Sequence, residues 1–286
     1  MKTSIMAKSG KLPNLIIIGA MKCATTSLYY YLSQHPQIFM SRKKELNFFV
    51  QEDNWAQGVD WYRSQFTGTA KIYGEASPHY TNYPFYSGVA ERMAAVVPEA
   101  QLIYLLRDPV ERTLSHYVNN FATNREHRTF AEAMADFHDN LYLNRSLYYM
   151  QLEQYLHYFP RSQILLLTQE ELYAERKKTL ATVFHFLAVD SSFWTEKFYR
   201  LEHRSSAKRR KTAVGLGLAR LPIRFLQYLP PHVRWQCERL LYLPFSRGVE
   251  KPHPSPELRR RLIDHFQDDS RRIQAYAGRK FAGWCV

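Results

Sequence analysis

The sequence predicts an α/β fold, a parallel β-sheet flanked by helices on both faces. Four short apolar runs have the composition of buried strands: residues 15–18, 71–73, 101–106 and 164–167. Helical patterns occupy the segments between and after them, at residues 26–33, 85–96, 110–119, 130–138, 148–158 and 177–186. Since strands that alternate with helices form parallel sheets covered on both sides, we expect the ligand site at the carboxyl ends of the strands.

A single domain over residues 1–286 fits the length of the chain. Residues 1–12 are polar and basic, and we expect a flexible N-terminus there. Residues 203–217 are basic and poor in apolar anchors, which is typical of a mobile loop. A helical pattern at 216–243 is interrupted by prolines, whereas residues 255–277 form a regular helical pattern that begins with Ser-Pro.

The formal net charge of +13 predicts anionic partners: phosphates, sulfated or carboxylated glycans, nucleic acid or an acidic membrane surface. Cys23, Cys237 and Cys285 are far apart and have neither metal-ligand nor disulfide spacing, which favours a reducing compartment. The sequence contains no signal-peptide pattern and no run long enough to span a bilayer. If the chain is full length, we therefore expect a cytoplasmic protein; a trimmed Golgi lumenal domain would have the same sequence features.

The strongest motif follows the first strand, where Gly19-Ala-Met-Lys-Cys-Ala-Thr-Thr-Ser-Leu28 leads into a helix. A strand, a turn of small residues and a helix N-terminus together direct backbone N–H groups and the helix dipole at one anion. Lys22 adds a full positive charge. In an ATP- or GTP-binding loop the lysine would fall at position 25, which is Thr25 here. The early lysine therefore argues against a nucleotide kinase.

A second anion site is predicted after the strand at 101–106. Arg107 stands at the carboxyl end of this strand and Ser115 lies two turns into the helix that follows. The guanidinium can bind a phosphate in a bidentate manner and the hydroxyl can donate to it. The alternative is that Arg107 pairs with Asp108 or Glu111 on a solvated face.

Two further segments contain candidate bases. Glu45 follows Lys44 and is backed by aromatic residues, so a carboxylate and an ammonium group would lie side by side, as proton abstraction from an acceptor requires. A solvated run of charges remains the alternative. Another strand leads into Glu75-Ala-Ser-Pro-His79-Tyr. Glu75 is predicted to contact the acceptor or orient Lys22, and His79 is the alternative base.

These segments resemble sulfotransferases that use 3′-phosphoadenosine 5′-phosphosulfate (PAPS). The resemblance is nearest to the heparan-sulfate N- and 3-O-sulfotransferase branch and its soluble bacterial relatives, and it extends from about residue 15 to residue 284. The loop with Lys22 resembles the 5′-phosphosulfate loop, and the run from Arg107 to Ser115 resembles the 3′-phosphate site. Lys44-Glu45-Leu-Asn-Phe-Phe resembles the segment of the heparan-sulfate branch in which a glutamate is the general base. This chain has Leu-Asn after the glutamate, where the family often has Pro-His.

The resemblance implies a role for each matched residue. The implied catalytic residues are Lys22, Lys44, Glu45 and His79. The implied donor-binding residues are Lys22, Cys23, Ala24, Thr25, Thr26, Ser27, Arg107, Ser115, Tyr148, Arg209 and Arg210. PAPS is then the donor and no metal is expected, because the sulfuryl group carries less negative charge than a phosphoryl group.

The acceptor is left open. A hydroxyl or an amine of a saccharide, a lipid or a small metabolite would suit the implied chemistry. We expect no nucleic-acid partner, and the oligomeric state is not predicted. Two other functions remain as alternatives, a P-loop nucleotide kinase and a non-catalytic binder of an anionic polymer.

Overall fold

The computed structural model describes residues 10–199, 208–212, 214 and 243–286. Its centre is a five-stranded parallel sheet with the order β2-β3-β1-β4-β5. The strands of this sheet are β1 (Leu15–Gly19), β2 (Ile38–Met40), β3 (Ile72–Ala76), β4 (Gln101–Leu106) and β5 (Ile164–Thr168). A two-stranded antiparallel ribbon pairs β6 (Arg209–Lys211) with β7 (Ser246–Gly248).

Helices flank the sheet. They are α1 (Thr25–Leu32), α2 (Gly58–Ser64), α3 (Val89–Val96), α4 (Pro109–Ala122), α5 (Phe130–Ala133), α6 (Leu141–Asn144), α7 (Tyr148–Leu156), α8 (Gln169–Ala174), α9 (Arg176–Phe186) and α10 (Pro256–Ala277). Short 3-10 turns occupy Trp55–Gln57, Pro78–Tyr80, Arg161–Gln163 and Glu196–Tyr199. The predicted parallel sheet with flanking helices is therefore confirmed.

Burial explains why β1 occupies the middle of the sheet. All five of its residues are buried, and the strand pairs with β3 on one side and β4 on the other. Each fully buried Leu or Ile side chain contributes about 1.5–3 kcal/mol relative to exposure. A Cβ at Gly19 would collide with the side chain of Thr81, so glycine is required where the strand turns into the loop.

The long C-terminal helix α10 holds α7 in place through a buried carboxylate. Asp269 accepts hydrogen bonds from the backbone N–H groups of Tyr149 (3.0 Å) and Met150 (2.9 Å). These donors lie in the first turn of α7, where no intrahelical acceptor is available to them. Burial raises the pKa of Asp269 to about 6, against the lowering effect of these backbone hydrogen bonds.

The structure also contains elements that the sequence patterns did not indicate. Strand β2 has only three residues and pairs with β3 alone, so it carries too little pattern to recognise. The helix expected at 130–138 ends at Ala133. Beyond that point Asp136 accepts from the backbone N–H of His138, and Asn140 donates to the carbonyls of Ala133 and Asp136, so side chains replace helical hydrogen bonds.

Other predictions concern residues outside the described part of the chain. The expected flexible segment 1–12 is described only from residue 10, and the expected loop 203–217 only at 208–212 and 214. The helical pattern at 216–243 is described only at its last residue. The division into one domain stays a prediction.

Candidate active site

The loop between β1 and α1 forms an anion cradle. Lys22 (φ 74°) and Ala24 (φ 65°) both adopt left-handed backbone conformations, which are uncommon without glycine and cost of order 1–3 kcal/mol each. Ala24 is the N-cap of α1, and no side chain caps the helix there. The first turn of α1, with Thr25, Thr26 and Ser27, lines a cavity of about 780 Å³. The uncapped end of α1 thus supplies N–H donors and a positive dipole to this cavity.

Lys22 faces a second lysine across the same cavity. The side chain of Lys208, which precedes β6, lies within hydrogen-bonding reach of Lys22 and donates to Asn119 on α4. Burial lowers the pKa of Lys22, and burial together with the charge of Lys22 lowers the pKa of Lys208 to about 7. Two ammonium groups this close are stabilised when an anion binds between them.

The predicted 3′-phosphate residues line this cavity as well. Arg107 follows β4 and Ser115 lies on α4, where Asp108 caps the helix by accepting from the N–H of Glu111 at 2.9 Å. Arg107 also makes a long ion pair with Glu111, with 3.6 Å between the charged atoms. Glu111 in turn binds Lys251 at 2.5 Å. The structure therefore brings the two predicted anion sites into one cavity.

The described residues that line this cavity carry mostly positive charge. Among the described lining residues, the basic side chains are those of Lys22, Lys44, Arg107, Arg125, Lys208 and Arg209. Only one carboxylate, that of Glu45, lies among them. Six basic side chains against one carboxylate make a cavity suited to a ligand with several negative charges.

The loop that carries Lys44 and Glu45 forms the other side of the cavity. The Lys44 ammonium pairs with the Glu45 carboxylate at 2.5 Å, and the Glu45 side chain is about half exposed (49%). Glu45 (φ 64°) and Asn47 (φ 48°) both have left-handed backbone conformations. The backbone N–H of Glu45 donates to the carbonyl of Ala76 at 3.0 Å, which fixes the loop to the end of β3.

A buried carboxylate, that of Glu75, holds this loop in place through hydrogen bonds. Glu75 accepts hydrogen bonds from the hydroxyls of Tyr62 (2.6 Å), Ser77 (2.7 Å) and Tyr80 (2.7 Å), and burial raises its pKa despite these donors. Ser77 Oγ accepts from the N–H of Asn47 at 3.0 Å. Glu75 is fully buried and does not line the cavity, so the expectation that it contacts the acceptor or orients Lys22 is wrong. It holds the loop that carries Glu45 instead.

His79 reaches the cavity from the turn after β3. Its pKa is lowered by burial and by the positive charge of Arg145, so the imidazole is neutral near pH 7. Nδ1 is buried and has no hydrogen-bond partner among the described residues. His79 and Glu45 both line the cavity, so the imidazole is a second group there that is able to accept a proton.

Three of the expected donor-binding side chains do not line the cavity. Cys23 is buried with Sγ 3.6 Å from the hydroxyl of Tyr148, and that hydroxyl donates to the carbonyl of Arg107 at 2.8 Å. Arg210 donates to Asn124 at 2.9 Å and its guanidinium lies 3.9 Å from the ring centroid of Phe121. Direct donor contacts by these three side chains stay predictions. Arg209 lines the cavity and also donates to Ser246 at 2.9 Å.

The structure adds lining residues that sequence reasoning did not single out. These are Met21, Pro78, Asn119, Ala122, Thr123, Arg125, Gln169 and Tyr173. Asn119, Ala122 and Thr123 lie one and two turns beyond Ser115 on the same face of α4, a spacing that could have indicated them. Gln169 and Tyr173 follow β5, whose carboxyl end adjoins that of β4.

The structure contains the features on which the resemblance to sulfotransferases rests: an uncapped helix after the central parallel strand, with a lysine in the loop between them. Residues 12–215 match the family description "Sulfotransferase domain", which is more than half of the chain. The chain belongs to this family, as the resemblance in its motifs predicted.

The relatives agree with this assignment. The chain is 46% identical over 111 residues to the membrane-associated sulfotransferase kil1 of Dictyostelium discoideum, covering 37% of this chain and 22% of that protein. It is 32% identical to the mouse bifunctional heparan sulfate N-deacetylase/N-sulfotransferase 1, covering 64% of this chain and 23% of that protein. The mouse heparan sulfate glucosamine 3-O-sulfotransferase 3B1 is 28% identical, covering 97% and 66%.

Solved structures show the same fold. A sulfotransferase from Alicyclobacillus acidocaldarius has a TM-score of 0.68 and 26% identity, and covers 96% of this chain and 100% of that one. The mouse sulfotransferase SULT7A1, crystallised with PAP, has a TM-score of 0.52 and 12% identity, and covers 94% and 89%.

The described residues lack two features that bear on location and metal binding. Among these residues no helix is long and apolar enough to cross a membrane. The same part of the chain holds no group of three or more His, Cys, Asp or Glu side chains that could bind a metal ion. The cytoplasmic location stays a prediction.

Proposed function

We propose that this protein transfers a sulfuryl group from PAPS to a hydroxyl or amine acceptor. The observation that carries the proposal is the single cavity in which the Lys22 loop and the Arg107–Ser115 pair meet, with six basic side chains against one carboxylate. PAPS carries anionic groups at the 3′ and 5′ positions of its ribose, so two anion sites in one cavity fit it. The PAP named with the mouse structural neighbour and the heparan sulfate relatives support the same donor and chemistry.

The residues at the 5′ side would hold the phosphosulfate. The amides of the first turn of α1 and the hydroxyls of Thr25, Thr26 and Ser27 bind the 5′-phosphate. When bound, PAPS supplies the sulfuryl group and PAP as the leaving group. Lys22 offsets the negative charge that develops on the bridging oxygen as its bond to sulfur breaks.

The residues at the 3′ side would select the donor. The guanidinium of Arg107 and the hydroxyl of Ser115 bind the 3′-phosphate, a group that ATP lacks. Lys208 lies opposite Lys22, where its ammonium would bind the phosphosulfate from the other side. This lysine therefore joins the binding residues indicated by the sequence.

Glu45 would act as the general base. Its carboxylate takes the proton of the acceptor while the acceptor oxygen or nitrogen bonds to sulfur in line with the departing bridging oxygen. Lys44 holds the carboxylate by the 2.5 Å ion pair. His79, neutral and lining the same cavity, is the alternative base.

A comparison of nucleotides tests the donor. In a thermal-shift titration with the whole chain, PAP should stabilise the protein and ATP should not, with or without magnesium. Magnesium-dependent stabilisation by ATP alone would favour a P-loop kinase. Stabilisation by neither nucleotide would favour a non-catalytic binder of an anionic polymer.

A variant series with PAPS tests the roles. Lys22→Ala should lose about 3–4 kcal/mol of transition-state stabilisation, a few hundredfold or more in rate. Lys178→Ala is a matched control, since Lys178 is exposed and makes a surface ion pair with Glu175. Glu45→Gln should lower kcat strongly, whereas His79→Gln should leave kcat near that of the wild type. Full turnover by Lys22→Ala would contradict the proposal.

A further inference from the structure

A second cavity lies next to the candidate active site and has a different chemical character. It has a volume of about 200 Å³ and lies between the segment after β3, the start of α3 and the face of α7. Its lining residues are Tyr80, Tyr83, Tyr86, Gly88, Val89, Ala90, Glu91, Gln151, Gln154, Tyr155, His157 and Tyr158. Five tyrosines line this small space and provide ring surface for one ligand ring, although the hydroxyls of Tyr80 and Tyr155 already donate to protein groups.

The two cavities meet at a pair of rings. His79 lines the large cavity, and its ring centroid lies 5.9 Å from that of Tyr86, which lines the small one. Phe85, 65% exposed, packs edge-on against Tyr86 with 4.9 Å between centroids. An acceptor whose reactive group lies between Glu45 and His79 would therefore extend over Tyr86.

The floor of the small cavity is rigid. Gln151 is buried and binds both backbone groups of Tyr83, accepting from its N–H and donating to its carbonyl at 2.7 Å each. The hydroxyl of Tyr155 donates to the carbonyl of Tyr80 at 2.8 Å. By contrast, Tyr158 is 47% exposed at the rim. The backbone of Tyr83 and the ring of Tyr155 are thus held in place before a ligand arrives, which lowers the entropic cost of binding.

Charge selects the kind of acceptor. Among the described residues that line the small cavity there is no lysine or arginine, and the one carboxylate is that of Glu91. Burial, Asp53 and Glu52 raise the pKa of Tyr86, whereas the positive charge of Arg145 acts in the opposite direction. The nearby Arg92 is engaged, because its guanidinium donates to the carbonyls of Phe49 (2.9 Å) and Ser87 (2.7 Å). The small cavity therefore offers a polyanionic chain no basic side chain among its described lining residues.

We propose that this tyrosine cavity is an acceptor subsite that binds an uncharged sugar ring. The C–H face of a pyranose stacks on a tyrosine ring, while its hydroxyls find partners in the tyrosine hydroxyls and in Gln154, His157 and Glu91. The volume suits one ring rather than a chain. The proposal rests on the proposed function, since the subsite places a sugar hydroxyl beside Glu45 and His79. It differs from the heparan sulfate named for several relatives, which is anionic.

A glycan array with the whole chain and saturating PAP tests the subsite. Wild type should bind neutral glycans and not their sulfated counterparts, and the preferred neutral glycan is then used in solution with PAPS. Tyr86→Ala and Tyr158→Ala should each raise KM for it about tenfold with little change in kcat, whereas Tyr86→Phe should stay near wild type. Tyr199→Ala, an exposed tyrosine that lines neither cavity, is the matched control.

Several outcomes would overturn the subsite. They are binding confined to sulfated glycans, turnover of 4-nitrophenol in preference to neutral glycans, absence of glycan binding, or a KM that Tyr86→Ala and Tyr158→Ala leave unchanged. PAP binding, measured by thermal shift, separates the two proposals. If PAP stabilises every variant and no neutral glycan binds, the subsite is wrong and the donor assignment stands. If PAP fails to stabilise wild type, the proposed function itself is wrong.

Discussion

The pH dependence of nucleotide binding should reveal the pairing of Lys22 with Lys208. The pKa of Lys208 is lowered to about 7 by burial and by the charge of Lys22. A bound anion between the two lysines favours their protonated forms, so binding must take up a proton whenever Lys208 is neutral in the free protein. The affinity for PAP should therefore fall as the pH rises through 7. Lys208→Arg should remove this dependence, since a guanidinium stays charged throughout.

The expected magnitude follows from the lowered pKa. With a pKa of about 7, about nine-tenths of Lys208 is protonated at pH 6 and about one-tenth at pH 8, a change of about tenfold in the binding-competent form. Because the side chain of Lys208 is only partly buried, solvent screening reduces the effect. We expect the Kd of wild type for PAP to rise about three- to tenfold between pH 6 and pH 8, relative to the variant.

Isothermal titration calorimetry at several pH values is the assay. The phosphates of PAP titrate too, but in the same way for both proteins, so the ratio of wild-type to Lys208→Arg affinity isolates the lysine. Lys211→Arg is the control, because Lys211 lies on β6 without lining the cavity. A constant ratio between pH 6 and pH 8, or an equal effect of Lys211→Arg, would refute the coupling between Lys22 and Lys208.

Three further changes test other parts of the structure. Glu75→Gln replaces the carboxylate oxygen that accepts from Ser77 with an amide N–H, so one hydrogen bond worth about 1.5–3 kcal/mol is lost. Because Glu75 holds the loop that carries Glu45, kcat should fall while the Kd for PAP, measured by calorimetry, stays constant. Arg107→Ala should weaken PAP binding at least tenfold and leave binding of adenosine 5′-phosphosulfate, which lacks the 3′-phosphate, nearly unchanged in the same assay. The pKa of Asp269 is raised to about 6, so the stability that its protonated form contributes is lost as the pH rises from about 4 through 6. Asp269→Asn should flatten the pH dependence of the free energy of unfolding in this range, measured by urea denaturation.

The sequence reveals the parts of the site whose residues are close together in the chain. Lys22 stands three residues after Gly19, and Ser115 eight residues after Arg107, so strand and helix periodicity alone put each group at the end of a strand. The parallel order of β1 and β4 then brings the two groups into one cavity. That step needs only the fold class, which the alternation of strands and helices predicts.

Contacts between distant segments were not accessible in this way. A run of basic residues at 208–211 does not show which side chain turns toward the nucleotide. Contacts with α4 and the chain after it decide this, since Lys208 donates to Asn119 whereas Arg210 donates to Asn124 and lies on Phe121. The role of Glu75 was missed for a related reason, since one of its three hydroxyl donors, Tyr62, comes from α2, whereas Ser77 and Tyr80 belong to the turn after β3.

Buried positive charge without acidic partners extends beneath the cavity. Arg112 is fully buried, donates to Ser146 and to the carbonyl of Tyr142, and has no partner for Nη1 among the described residues. Arg145 is nearly as buried, and burial lowers its pKa to about 9. Neither guanidinium makes an ion pair with a carboxylate in the described part of the chain. Charges buried in this way destabilise the free protein and add to the attraction for an anion.

The stability of the free protein and the stability added by bound PAP should change in opposite directions with pH. Because the pKa values of Lys22 and Lys208 are lowered on folding, the unfolded chain binds more protons than the folded chain between about pH 7 and the ordinary lysine pKa near 10.5. The stability of the free protein should rise with pH in that range as far as these lysines determine it. The added stability from a fixed PAP concentration should fall over the same range, because the affinity falls. Melting temperatures with and without PAP that rise in parallel from pH 7 to pH 9 would show that these lysines do not bind the nucleotide.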